Sequence, residues 1–247
     1  MKSENKGTIT VFGKNTVRES VRSGEAVELF VSSKYQNDAI VKEAQTAGIE
    51  VNLVSWNELD ALSKSTSHQG YVAICHEVKE YTLAEVIEQC KQKENPLILM
   101  LDGIEDPHNV GAILRSVDAF GVDAVILKNR GEAKVNSTVA KVSTGAIHYV
   151  RICTVANLTN AIQTLKKNGF WVVSSDGSGK TEYDEVDYSG PMVIVVGSEG
   201  FGISNLVLKN SDFIVKIPMV GHVNSLNASV ATGILLAGVT LLRKKKK

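Results

Sequence analysis

The feature that most constrains this chain is a repeated switch between two hydrophobic periods. Short apolar or alternating runs give way to stretches in which apolar residues recur every three to four positions, and the switch repeats along the sequence. The first kind reads as a strand and the second as an amphipathic helix. A chain that alternates the two is committed to a layered α/β fold, with a mostly parallel sheet and helices on both faces. In the first part TITVFG, AVELFVSS, IEVNLVS and YVAICHE read as strands, and KNTVRESVRSG, NDAIVKEAQTAG and WNELDALSKS as the helices between them. Gly24 and Gly48 close two of these helices, and Asn37 or Asp38 caps the second. In the later part LILMLDG, with five apolar residues in a row, suits a central strand buried on both faces. A helix over 108–120, strand DAVILK, helix VNSTVAKVST, strand HYVRI, helix ANLTNAIQTLKKNG, strand FWVVSS, strand MVIVVG, a short helix after Gly202, strand FIVKI and a final helix follow. Between the two parts, Leu83, Val86, Ile87 and Cys90 share one helix face and Pro96 ends the segment. The expected organisation is a small domain over 1–78, a structured linker over 79–95 and a larger domain over 96–247.

Composition narrows the function. Apolar residues make up 43% of the 247, enough for a real core. The 27 basic and 27 acidic side chains cancel, so any nucleic-acid contact must come from local clusters. Cys75, Cys90 and Cys153 lie far apart, which argues against a disulfide framework and a cysteine zinc site, and for buried thiols in a reducing cytoplasm. The five histidines show no metal-ligand spacing, so no metal is expected. The opening MKSENKGTIT lacks the apolar core of a signal peptide. Ala228 to Leu242 is uncharged and precedes RKKKK, like a tail anchor. As a helix it would span only about 22 Å of a ~30 Å hydrocarbon core. A buried helix in a core or subunit interface is the better reading, with no membrane partner.

In open α/β sheets ligands collect at the carboxyl ends of strands, and three loops there stand out. In DGIEDPHNVGAILRSVDAFGV, Pro107 and Asn109 mark a helix start. Arg115 lies off the apolar stripe, as either a solvated partner of Asp118 or a cation held out to meet an anion. Asn109 is either a cap or a site residue. In VIVVGSEGFGIS, Glu199 stands among Gly197, Gly200 and Gly202, in a G-x-x-G-x-G order that is a poor dinucleotide signal and either a placed carboxylate or a plain tight turn. In KIPMVGHVNSLNASVATG, Asn224 or Ser225 suffices as an N-cap, yet His222, Asn224, Ser225 and Asn227 crowd together. There is no nucleophile elbow and no P-loop.

These three loops resemble, in order and spacing, the three motifs of the SpoU branch of the SPOUT methyltransferases: DPHNVGAILRSVDAFGV, IVVGSEGFGIS and IPMVGHVNSLNASVATG. VFGKNTVRESVRSG and HQGYVA resemble the small ribosomal-protein-like RNA-binding domain fused to the 23S rRNA guanosine 2′-O-methyltransferases of that family. The final helix departs from the pattern, being more apolar and less bulky, with Gly238 costing about 1 kcal/mol in a helix.

The resemblance implies a trefoil knot in the larger domain, a homodimer, and S-adenosyl-L-methionine held by the knot loops. It places Gly197, Ile217 and Leu226 at the cofactor, with Thr144 and Gly145, and Asn109, Arg115, Glu199, Ser225 and Asn227 at the reacting centre. The implied activity is methyl transfer to the ribose 2′-hydroxyl of a guanosine in 23S rRNA. Arg115 is then the family's proposed base or, given a guanidinium pKa above ~12, a phosphate clamp. The alternatives are tRNA guanosine 2′-O-methylation, adenosine methylation in rRNA, an idle RNA-binding assembly factor that keeps the fold, and a nucleotide-binding oxidoreductase, which the missing G-x-G-x-x-G disfavours.

Overall fold

Contacts divide the chain into two units, Met1–Val78 with Val135–Tyr149, and Lys79–Lys134 with Val150–Lys247. The structure is a computed structural model that describes residues 7–133, 136–222 and 225–245.

The first unit follows the alternation: β1 (Thr8–Phe12), α1 (Lys14–Arg22), β2 (Ala26–Ser32), α2 (Ala39–Thr46), β3 (Glu50–Val54), α3 (Trp56–Ser63) and β4 (Tyr71–His76). Its sheet has the order β1-β4-β2-β3, antiparallel except for the β2–β3 pair. Local chemistry sets the helix starts. Asp38 accepts from the Ile40 amide at 3.0 Å to cap α2, and Ser55 with Glu58 forms a capping box on α3.

The second unit contains α4 (Leu83–Cys90), β5 (Leu97–Asp102), α5 (Pro107–Ala119), β6 (Ala124–Lys128), β7 (Ile152–Val155), α7 (Leu158–Lys167), β8 (Trp171–Ser175), β9 (Thr181–Glu182), β10 (Met192–Gly197), α8 (Asn205–Asn210), β11 (Phe213–Lys216) and α9 (Ala228–Lys245). Seven strands run in the order β7-β6-β5-β10-β8-β11-β9, every pair parallel. The insertion of β10 between β5 and β8 is consistent with a knotted sheet. β5 is buried at every position. Ile98 and Met100 join a core with Val86, Ile87 and Cys90 of α4 and Ile162 and Leu165 of α7. Leu99 and Leu101 alternate to the opposite face, and α5 packs against α9. α4, in the segment expected to link two domains, thus seals one face of this sheet.

One expectation shifts. HYVRI is not a strand: Ala146–His148 form a 3₁₀ turn and β7 begins only at Ile152. The cause lies in the first unit, where His148 is held by the Ser20 hydroxyl at 2.8 Å and Gly145, at φ +90°, faces Glu19. α6 (Ser137–Val142), just before it, belongs to the same unit, with its Lys141 carbonyl accepting from the Thr16 hydroxyl at 3.4 Å. The two-residue β9 is too short to leave a sequence signal. Cys75, Cys90 and Cys153 are buried free thiols, and burial pushes each up to about 11. Among the described residues no helix is long and apolar enough to cross a membrane. Lys246 and Lys247 of the basic tail lie outside the described residues.

The structure supplies a reason for the glycine inside α9. A Cβ at Gly238 would stand 2.3 Å from the Tyr183 ring, which the Tyr188 hydroxyl helps to locate by donating to the Tyr183 carbonyl at 2.7 Å. Gly238→Ala should therefore lower stability although alanine gains about 1 kcal/mol in helix propensity. In a Tyr183→Ala background the same change should raise it. Urea unfolding of the four proteins measures this, and an equal gain in both backgrounds would mean that the ring yields freely.

Candidate active site

The carboxyl ends of β8, β10 and β11 enclose a cavity of about 160 Å³. Gly197, Ile217 and Leu226 line it, together with Glu199 and Ser225. Gly197 cannot carry a side chain, because a Cβ there would lie 2.2 Å from the Gly202 carbonyl carbon. That close backbone approach folds residues 198–202 into a tight turn, in which the Gly202 amide donates to the Ser198 carbonyl at 2.9 Å and the Ser198 amide returns a bond at 3.2 Å.

Glu199 leaves this turn to meet two helices. Its Oε1 accepts from Asn109 Nδ2 at 3.0 Å, from Asn227 Nδ2, and from the Ala228 amide at 3.3 Å. Asn227 Nδ2 also donates to Asn109 Oδ1 at 2.9 Å. The orientation of the Asn227 amide follows from its other end. Its Oδ1 accepts from the Ser229 amide at 3.0 Å, the Ser229 hydroxyl at 2.6 Å and the Val230 amide at 3.3 Å, which makes Asn227 the cap of α9 and turns its NH₂ towards Glu199. Glu199 Oε2 takes no hydrogen bond among the described residues and is open to a ligand.

This geometry decides several open readings. Asn109 is not a cap: Asp106 caps α5, accepting from the His108 amide at 2.9 Å, and Asn109 is free for Glu199. Glu199 is no plain turn residue. Asn227 rather than Ser225 takes the cap of α9, Ser225 making no such bond among the described residues, and Asn224 lies outside the described residues. Arg115 pairs with neither Asp118 nor Glu199; it is exposed on α5 with no hydrogen bond or ion pair among the described residues. Thr144 and Gly145 are not among the residues lining the cavity and belong to the other unit.

Some contributors escaped the sequence reading. The loop after β8 brings Asp176 and Gly177 to the cavity. Asp176 Oδ1 accepts from the Ser178 amide at 2.9 Å and hydroxyl at 2.6 Å. A Cβ at Gly177 would meet nothing within 4 Å, so backbone is open to a ligand there. FWVVSS running into Asp-Gly was the available signal. Beneath the loops, Asp102 accepts from Lys128 Nζ at 2.9 Å and the Ser204 amide at 2.8 Å, tying the ends of β5 and β6 to the start of α8. Burial pushes the Asp102 carboxyl up, but the bonds from Ser204 and Lys128 outweigh it and hold it below the ordinary value. Glu132 accepts from the Gly103 amide at 3.2 Å and the Lys128 amide at 2.9 Å, fixing the turn that leads into α5.

Comparison with known proteins bears on the family. The SpoU rRNA Methylase family matches residues 96–237, and a family described as RNA 2′-O ribose methyltransferase substrate binding matches residues 10–81. A Staphylococcus saprophyticus chain assigned to the TrmH family of tRNA/rRNA methyltransferases is 43% identical over 236 residues, covering 92% of this chain and 93% of that one. The SpoU methyltransferase AviRb from Streptomyces viridochromogenes, solved with AdoMet, superposes with a TM-score of 0.80 at 23% identity, over 96% of this chain and 91% of that one. An Aquifex aeolicus TrmH/SpoU tRNA-modifying enzyme, at 34% identity and a TM-score of 0.57, covers 66% of this chain and 83% of its own.

Burial raises the Glu132 carboxyl to about 8, against the bonds from Gly103 and Lys128. The unfolded chain releases that proton near 4.5 while the folded chain keeps it to about 8, so folding binds a proton in between and stability falls as pH rises across that window. Glu132→Gln, which does not titrate, should gain on the parent protein as pH rises from 4.5 to about 8. Denaturant titrations across the window check it, and a pH-independent difference would contradict it.

Proposed function

The chain belongs to the SpoU rRNA Methylase family, and from that membership we propose that it is an S-adenosylmethionine-dependent 2′-O-methyltransferase acting on a guanosine of 23S rRNA. The observation that carries the reading is the Asn109–Glu199–Asn227 array beside a cavity at the strand ends. The cavity suits the cofactor: Val196, Ile217 and Leu226 give apolar wall for a flat base, Asp176 offers an acceptor for hydroxyl or ammonium groups, and the Glu199 carboxylate complements a sulfonium charge. When bound, that cofactor supplies an already activated methyl carbon to an in-line nucleophile.

The protein's own residues then have to deliver a ribose hydroxyl. The open Oε2 of Glu199 accepts the hydrogen of the 2′-hydroxyl and the second amide hydrogen of Asn109 donates to the hydroxyl oxygen, while Asn227, its amide fully used by Asn109, Glu199 and the α9 cap, holds both in place, with Ser225 at the cavity wall. Arg115 carries a planar guanidinium whose fork of donors matches a phosphate. Exposed and without an internal partner, it is available to clamp the adjacent phosphate bidentately and fix the ribose. Residues 1–78, which contain most of the substrate-binding match, supply RNA affinity and register. That part favours ribosomal RNA over tRNA, since the tRNA-modifying relative matches only 66% of this chain. The intact array speaks against an idle assembly factor. Val230 and Leu241, exposed on α9, support a homodimer through the catalytic domain.

Alkaline cleavage of RNA needs a free 2′-hydroxyl, so unmodified rRNA incubated with the protein and S-adenosylmethionine should show one gap in its hydrolysis ladder, immediately 3′ of a G. Arg115→Ala should erase the gap while leaving cofactor affinity within a few-fold. A continuous ladder with methyl incorporated would overturn the 2′-O assignment, a gap at an A the guanosine, and a gap only in tRNA the ribosomal target.

A further inference from the structure

Two residues beyond Glu199, on the same turn, stands Phe201, with 98% of its surface exposed, more than any other aromatic residue described. Its face is left free for a partner to cover. It is not held out by slack chain. The Ser198–Gly202 backbone bonds close the turn, and the Phe201 amide donates to the Ser198 hydroxyl at 3.3 Å. The same closed turn points Glu199 to Asn109 and Asn227 and leaves Phe201 exposed, so the backbone that carries the ring is fixed relative to the reacting array. Met219 lines the cavity and the next residue, Val220, is fully exposed. The array itself offers only amide and carboxylate groups, which suit a ribose and give nothing to the flat face of a base.

We propose that Phe201 is a stacking platform for an unpaired nucleobase of the RNA, adjacent to or at the methylated nucleotide, and so positions the ribose over Asn109, Glu199 and Asn227. Aromatic side chains hold unstacked bases in this way, tolerantly of sequence because every base has a π-face. The inference deepens the RNA methyl-transfer reading and rests on it. It makes Phe201 a positioning residue and requires the target to be single-stranded or splayed out.

Two measurements test it. In methyl-transfer kinetics, Phe201→Ala should raise KM for RNA about tenfold or more, with a smaller change in kcat and unchanged affinity for S-adenosylmethionine. Phe201→Trp should keep KM near the parent value. Independently of any methylation, a short single-stranded RNA carrying 2-aminopurine should be quenched on binding to the parent protein and to Phe201→Trp, and not to Phe201→Ala. Quenching that follows this pattern in a protein that methylates no RNA would sink the methyl-transfer reading and leave the stacking inference standing. Quenching and KM unaffected by Phe201→Ala would overturn the inference. So would a lower solution mass for Phe201→Ala, which would assign the ring to a contact between copies of the chain.

Discussion

One carboxylate oxygen organises the site. Oε1 of Glu199 receives donors from α5, from the cap of α9 and from the first amide of α9. Hydrogen bonds to an ionised acceptor are the stronger kind, and both helices present their amino-terminal ends to it, where partial positive charge favours an anion. α5 and α9 pack along one face of the sheet, so their first turns arrive together beside the end of β10. Without an acceptor there, Asn109 Nδ2 would lose its partner and Asn227 Nδ2 would keep only Asn109 Oδ1, so the array would lose its fixed shape.

That oxygen is placed by the core. β5 and β10 are neighbours in the middle of an all-parallel sheet, and they end together at Asp102 and Gly197. Asp102 then reaches to Lys128 and to the Ser204 amide, so the loop carrying Glu199 is anchored at the far end of its turn as well as at β10. Glu132 does the same for the turn after β5. The buried carboxyl groups therefore set loop geometry and the apolar strands set position, a division that leaves the accessible array open.

Much of this was legible in the sequence because it is written locally. Strand and helix periods, the Gly24 and Gly48 stops and the Asp38 cap depend on neighbours a few residues apart, and they reappear in the structure. The membership of Asn109, Glu199 and Asn227 in one set came from three loops sharing a place in the pattern and from family resemblance. Their pairing could not be read, because it joins residues 90, 118 and 28 positions apart. A local rule even misled, offering Asn109 as a helix cap when Asp106, three residues earlier, takes that role. Nothing local singles out Glu132 or Lys128, because the fold alone brings them to Gly103 and Asp102. The HYVRI run carried a sound strand pattern, and packing of His148 onto Ser20 overrode it.

The central claim is that Glu199, Asn109 and Asn227 act as one hydrogen-bonded unit. A double-mutant cycle on single-turnover methyl transfer, using Glu199→Gln, Asn227→Ala and the pair, measures that directly. If the unit exists, either change alone should cost nearly as much as both, because each disperses the array. Losses that simply multiply would show independent side chains and contradict it.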